Sequence, residues 1–208
     1  MKYRHIVFDV DGTLVDTEYA VLHSLQDTIK TLTDKLIPLE DLTFSMGITG
    51  DDALKQLGFQ DIPAALEVWF QYLYEYDNTV SLFNGIADTL GALSQKGCKL
   101  GIVTSRIRED FEKEFRRFPI RQYFDIVVCA DDTKEHKPTA APLLKYMELS
   151  GADHSQILYV GDSRYDRECA RNANTDFALA GWGSHLTDID PEYRPAEPAG
   201  LIAIAESE

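Results

Sequence analysis

Asp9 and Asp11 stand two residues apart where an apolar run ends, in the stretch Asp9-Val10-Asp11-Gly12-Thr13-Leu14. On an extended strand an i, i+2 pair projects from one face. Two ionised carboxylates so close repel, so the pair calls for a cation or a shared proton. Mg²⁺ meets that need, since it takes oxygen ligands and neutralises phosphate oxygens during transfer. Gly12 lets the chain turn tightly toward a ligand, and the Thr13 hydroxyl can bond a neighbouring carboxylate or a phosphate oxygen. Thr104, Asp131 and Asp162 stand at the ends of other apolar runs. In open α/β sheets ligands bind beyond the carboxyl ends of the strands, so acids from three strand ends can converge on one divalent ion.

The elements that would carry these residues are five short, near-continuously apolar runs, Ile6–Val10, Leu100–Thr104, Ile126–Ala130, Ile157–Gly161 and Phe177–Ala180. Lack of alternation predicts parallel strands covered on both faces. Helical patterns over Ile86–Lys96, Glu109–Phe118, Ala140–Leu149 and Tyr165–Ala173 supply the crossovers, so the fold class is α/β, a doubly wound, Rossmann-like five-stranded core. Nearly ninety residues separate Asp11 from Leu100, far more than a crossover of about a dozen needs. Residues 16–81 therefore read as an inserted α-helical cap, with helices at Glu18–Leu32, Gly50–Leu57 and Ile62–Tyr76, and residues 1–15 with 82–208 as the core. The aromatic cluster Trp69, Phe70, Tyr72, Tyr74 and Tyr76 reads as packing rather than as a base-stacking platform. Pro191–Pro198 predicts an irregular surface segment before a short terminal helix.

The composition, 44% hydrophobic and 26% charged over 208 residues, is that of a globular protein. Its formal charge of −15 disfavours nucleic acid and anionic membranes as partners, which require a basic face. No apolar run reaches the ~20 residues of a membrane span, and the start MKYRHIVFDV does not resemble a secretory signal. Cys98, Cys129 and Cys169 form no C-x-x-C pair and read as small buried side chains of a cytoplasmic protein. His5, His136 and His154 lack ligand spacing and read as surface residues. Nothing in the sequence speaks to oligomeric state.

FDVDGTLVDTE resembles the first signature of the haloacid dehalogenase-like hydrolase superfamily. Ile102-Val103-Thr104-Ser105 is similar to its second motif, His136-Lys137-Pro138 to its third, and Gly161-Asp162-Ser163-Arg164-Tyr165-Asp166 to its fourth. The order and spacing cover essentially the whole chain, and the branch resembled is that of phosphoglycolate phosphatase and β-phosphoglucomutase. The resemblance implies an aspartyl-phosphate formed on Asp9, with Asp11 protonating the leaving group and then deprotonating water. It implies Thr104 and Lys137 on the phosphoryl oxygens, joined in phosphate binding by Gly12, Thr13 and Ser105. Mg²⁺ would be held by Asp9, the Asp11 carbonyl and Asp162, with Asp166 orienting Lys137 or a metal-bound water behind them. Pro138, suited to a helix start, selects Lys137 over Lys134. Asp11 argues against carbon–halogen cleavage, since the dehalogenases lack that acid.

The substrate implied is a small phosphorylated metabolite. Mutases of the branch carry an arginine in the cap loop at about Thr43–Asp52, and here Gly50 falls at its place. Residues 16–80 hold three lysines (Lys30, Lys35, Lys55), no arginine and twelve acids, which leaves little to grip a second anion. Lys55, or Arg106 and Arg108 just after the second motif, remain as possible cations. A phosphomonoester hydrolase is thus expected ahead of a mutase or a pyrophosphatase. With every motif residue present, nothing favours a non-catalytic phosphometabolite-binding module.

Overall fold

A computed structural model describes residues 2–207. Five strands form one parallel sheet: β1 (His5–Phe8), β4 (Lys99–Val103), β5 (Phe124–Val128), β6 (Ile157–Gly161) and β7 (Asp176–Leu179), in the order β5-β4-β1-β6-β7. β1 lies at the centre, with Phe8 opposite Ile102 on one side and Val160 on the other. Its residues show why the strands are largely apolar. Ile6 and Phe8 point into one core cluster and Val7 into the other, all fully buried. The first cluster is closed by α4 (Ile86–Gln95), α5 (Arg108–Phe115) and α8 (Gly200–Glu206), the second by α6 (Ala141–Ser150) and α7 (Arg164–Asn172). The core is doubly wound, as the sequence predicts.

The strands stop one or two residues before the apolar runs do, except β6. The ladder persists for one further bond, from Asp9 N to the Val160 carbonyl and from Thr104 N to that of Val128. Asp9, Asp11 and Thr104 therefore sit on the first turn beyond the sheet, where side chains can converge.

Between β1 and α4 the chain forms α1 (Glu18–Thr33), a 3₁₀ segment at Leu39–Ser45, α2 (Gly50–Gln56) and α3 (Ile62–Glu75). Leu25, Leu42, Leu54, Ala65 and Trp69 give these helices a hydrophobic cluster of their own. Thr49 caps α2 by accepting from Asp52 N, and Asp61 caps α3 by accepting from Ala64 N. The two passages to and from this helical group pair as a short antiparallel ribbon, β2 (Val15–Asp16) with β3 (Ser81–Leu82). Tyr193, within the proline-rich segment, bridges to Ala178 and covers the β7 edge. Among the described residues no helix is long and apolar enough to cross a membrane.

Candidate active site

The exits of β1 and β6 and the loop between β5 and α6 bring Asp9, Lys137, Asp162 and Asp166 together. Asp9 is 2% exposed, and its Oδ1 lies 2.9 Å from the Lys137 ammonium. The same ammonium donates to Asp166 Oδ1 at 2.7 Å. Asp166 is held on all sides. Its carboxylate accepts from the Tyr159 hydroxyl at 2.8 Å and from Ser163 N at 3.1 Å, while its own amide donates to Ser163 Oγ. This reciprocal box starts α7, so Asp166 is both a helix cap and the anchor of Lys137.

Carboxylate oxygens of Asp9, Asp162 and Asp166 all lie within 4.8 Å of one another. Burial and the neighbouring acids push the carboxyls of Asp9 and Asp162 above their ordinary range. Burial works against the charge of Lys137, but Asp166 and Asp9 outweigh it and hold the ammonium protonated. Three buried acids thus face one buried cation, and the donor atoms are all oxygens. That set fits a hard divalent cation. Asp9 and Asp162 are the acids placed to hold it, since Asp166 is committed to Lys137, Tyr159 and Ser163.

Gly12 and Thr13 support Asp162. Thr13 is fully buried and donates to Asp162 Oδ1 at 3.1 Å, so its hydroxyl serves a carboxylate. Gly12 adopts φ +72°, and a Cβ there would lie 2.3 Å from Asp162 Oδ2. Only glycine satisfies both the left-handed backbone and this close approach. Thr104 is buried and accepts from Arg106 N at 3.2 Å, which leaves its hydroxyl proton free to donate. Ser105 donates to the Gly47 carbonyl of the helical group at 2.8 Å, so in this conformation its hydroxyl bridges the two parts of the chain.

Asp11 faces a different partner. Arg106 grips it as a fork, Nε to Oδ2 at 2.8 Å and Nη2 to Oδ1 at 2.6 Å, and its Nη1 bonds Glu114. Burial opposes ionisation of Asp11, yet the guanidinium more than offsets it and holds the carboxyl below the usual range.

Some expectations do not hold. Asp131 is exposed and accepts from Arg108 N at 3.0 Å; it stabilises the start of α5 and stays out of the acidic cluster. Arg108 is tied to Asp132 and the Val127 carbonyl, and Lys55 lies 3.5 Å from Asp52, so of the three cations only Arg106 reaches the site. His5 is half-buried, with Nδ1 3.1 Å from the Tyr146 hydroxyl, because the β1 start is roofed by α6.

Sequence reasoning passed over the loop after β7. Trp182 Nε1 donates to the Thr13 carbonyl at 2.8 Å, Ser184 Oγ donates to the Asp162 carbonyl, and a Cβ on Gly183 would fall 1.9 Å from the Gly12 carbonyl oxygen. The Gly-Trp-Gly-Ser run over 181–184 was the available signal, a close backbone approach marked by small residues.

A family model described as haloacid dehalogenase-like hydrolase matches residues 6–180. Pyrophosphatase PpaX of Bacillus cereus is 29% identical over 209 residues, covering 98% of this chain and 97% of that protein. The PpaX of Halalkalibacterium halodurans is 28% identical over 198 residues, covering 93% and 92%. Among solved structures, a Lactobacillus plantarum protein with a provisional phosphoglycolate phosphatase assignment superposes at TM-score 0.89 and 26% identity, covering 98% of this chain and 100% of that one.

Proposed function

The chain belongs to the haloacid dehalogenase-like hydrolase family, and from that footing we propose that it is a Mg²⁺-dependent phosphatase acting on a small phosphorylated compound through Asp9. One observation carries the assignment: the Asp9–Lys137–Asp166 chain of contacts beside Asp162. Lys137 holds the nucleophile in place and keeps positive charge where phosphoryl oxygens would gather. Thr104 has a hydroxyl proton to give to one of those oxygens. Asp11 is the acid–base partner, because it stands beside Asp9 and is the more exposed of the two. Asp9 and Asp162 would hold Mg²⁺, which when bound supplies charge neutralisation to the transferring group.

Residues 16–81 are proposed as a cap over this site, with the β2–β3 ribbon as its hinge. Gly50 bears on the mutase alternative. A Cβ there would lie 3.0 Å from Leu66 and 3.5 Å from Trp69, so a side chain at this position would enter the helical core instead of reaching a second phosphate. That supports hydrolysis over isomerisation.

A second reading, hydrolysis of a phosphoanhydride such as pyrophosphate, is favoured by the Arg106 fork on Asp11. With both Asp11 oxygens accepting from a guanidinium, the geometry suits a leaving group that departs without much proton assistance, and phosphate is a far weaker base than an alkoxide.

The test is Mg²⁺-dependent release of p-nitrophenolate from p-nitrophenyl phosphate. Turnover should require Mg²⁺ and fall by roughly 10⁴-fold or more in Asp9→Asn, as expected for loss of a nucleophile. Turnover retained by Asp9→Asn would show that the attacking group lies elsewhere.

A further inference from the structure

Arg106 and Lys137 are the cations that contact the Asp9–Asp11 pair among the described residues, and they differ in what they have left to give. Lys137 is 1% exposed and committed to two carboxylates. Arg106 has five N–H donors. Three are engaged, two on Asp11 and one on Glu114. The other two meet no partner among the described residues, and the side chains of Arg106 and Asp11 are each 18% exposed. An arginine with two donors left and a partly exposed side chain can bind another planar or tetrahedral anion without releasing the first.

Its position defines what that anion belongs to. Asp9 and Lys137 take the transferring phosphoryl group, so Asp11, the acid–base partner, faces the leaving group. Arg106 holds both carboxylate oxygens of Asp11, and its neighbour Ser105 hydrogen-bonds Gly47 on the loop before α2. A leaving group in contact with the Asp11 carboxylate would therefore lie close to the guanidinium. The helical group supplies no competing arginine, and two of its three lysines are paired locally, Lys30 with Asp34 and Lys55 with Asp52.

We propose that Arg106 is a specificity-determining residue, which fixes Asp11 with one edge and offers its remaining donors to a second anionic group, a carboxylate or a phosphate, on the leaving group. This deepens the phosphatase assignment and depends on it. Glu114, 39% exposed and bonded to the same guanidinium, is then the group that tempers the attraction.

The experiment compares kcat/KM in Mg²⁺ for pyrophosphate, 2-phosphoglycolate and the uncharged amide of 2-phosphoglycolate. The unsubstituted chain should favour at least one anionic substrate over the amide by tenfold or more. Arg106→Gln should collapse that ratio toward one, mainly through KM. Arg106→Lys should keep part of it, because charge remains while the fork is lost. Glu114→Gln, at a partly exposed position, should raise the ratio a few-fold. Which anionic arm responds identifies the group recognised, phosphate or carboxylate. An equal loss on all three substrates in Arg106→Gln would make Arg106 a positioning clamp for Asp11 and overturn the proposal, as would a wild-type ratio near one. Inactivity of the unsubstituted chain toward every substrate would defeat the phosphatase assignment itself, and this inference with it.

Discussion

Asp9 and Lys137 should answer to substitution with opposite signs in stability. In the metal-free protein three buried acids share one buried ammonium, so negative charge is in surplus. Lys137→Met strands Asp9 and Asp166 without their cation, and breaking a buried pair in this way costs about 3–5 kcal/mol. Asp9→Asn removes one surplus acid and should raise the unfolding midpoint while abolishing turnover, the trade expected where function demands strained electrostatics. The effect depends on pH. Burial raises the folded carboxyl of Asp9 from 3.8 to about 7, so the folded chain holds this proton longer than the unfolded one. Stability is lost as pH rises through that window, and Asp9→Asn should flatten that part of the slope. Urea denaturation at pH 5 and pH 8 without Mg²⁺ checks both variants, and a destabilised Asp9→Asn would contradict the charge surplus. Asp9, Asp162 and Asp166 were legible in the sequence because each sits at a strand exit or one helical turn beyond. The grip of Arg106 on Asp11 was not, because it joins residues 95 positions apart through a long side chain, and nothing in Thr-Ser-Arg encodes where that side chain turns.

The loop after β7 behaves as a second floor under the turn after β1. Trp182, Gly183 and Ser184 touch Thr13, Gly12 and Asp162 in succession, all through backbone carbonyls. Gly183→Ala would place a methyl 1.9 Å from the Gly12 carbonyl oxygen, and Gly12 in turn lies against Asp162. The displacement would pass to a group proposed to hold Mg²⁺, although residue 183 contacts none of the reacting atoms. We expect Gly183→Ala to weaken Mg²⁺ activation by roughly 10–100-fold, the range found when supports behind metal ligands are lost, with most of the activity recovered at high Mg²⁺. An unchanged Mg²⁺ requirement would mean that the loop adapts freely. The five strands could be read from apolar runs because burial on both faces leaves few polar positions in them, mostly at their first residues. β2 and β3 could not, since two residues each carry no periodicity. Asp131 misled for a related reason. An acid just past a strand looks the same in sequence whether it points to the ligand or to the amide of the next helix, and Arg108 N decides the matter in three dimensions.

Movement between the helical group and the core has few places to occur. The chain crosses twice, and both crossings lie in the β2–β3 ribbon, where Val15 pairs with Leu82 and Asp16 with Ser81. Away from the ribbon the two parts touch through polar contacts that include Ser105 to Gly47, Arg117 to Asp77 and His185 to Glu18. The exposed Arg117–Asp77 pair is worth about 1 kcal/mol or less, whereas the ribbon is tied into the core by Val15 and Leu14, both buried. The long gap after Asp11 marks both the insertion and its two crossings, near Asp16 and Ser81–Gly85, but not their pairing as a ribbon. The protein carries its own reporter of movement at this proposed hinge. Of its two tryptophans, Trp69 is buried in the helical cluster and bonded to Ser24, whereas Trp182 binds the Thr13 carbonyl and lines a cavity of about 450 Å³ with Phe83, Asn84 and Gly85 beside β3. Trp69→Phe leaves Trp182 as the single tryptophan, read by excitation at the red edge where the ten tyrosines absorb little. If ligand closes the helical group by rotation at the ribbon, the walls of that cavity move against the indole. Addition of Mg²⁺ with a phosphate mimic such as vanadate should then shift its emission or its quenching by acrylamide, and Mg²⁺ alone should do so less. A Trp182 signal unchanged by both, in a variant shown by activity to bind them, would mean that the helical group stays fixed during turnover.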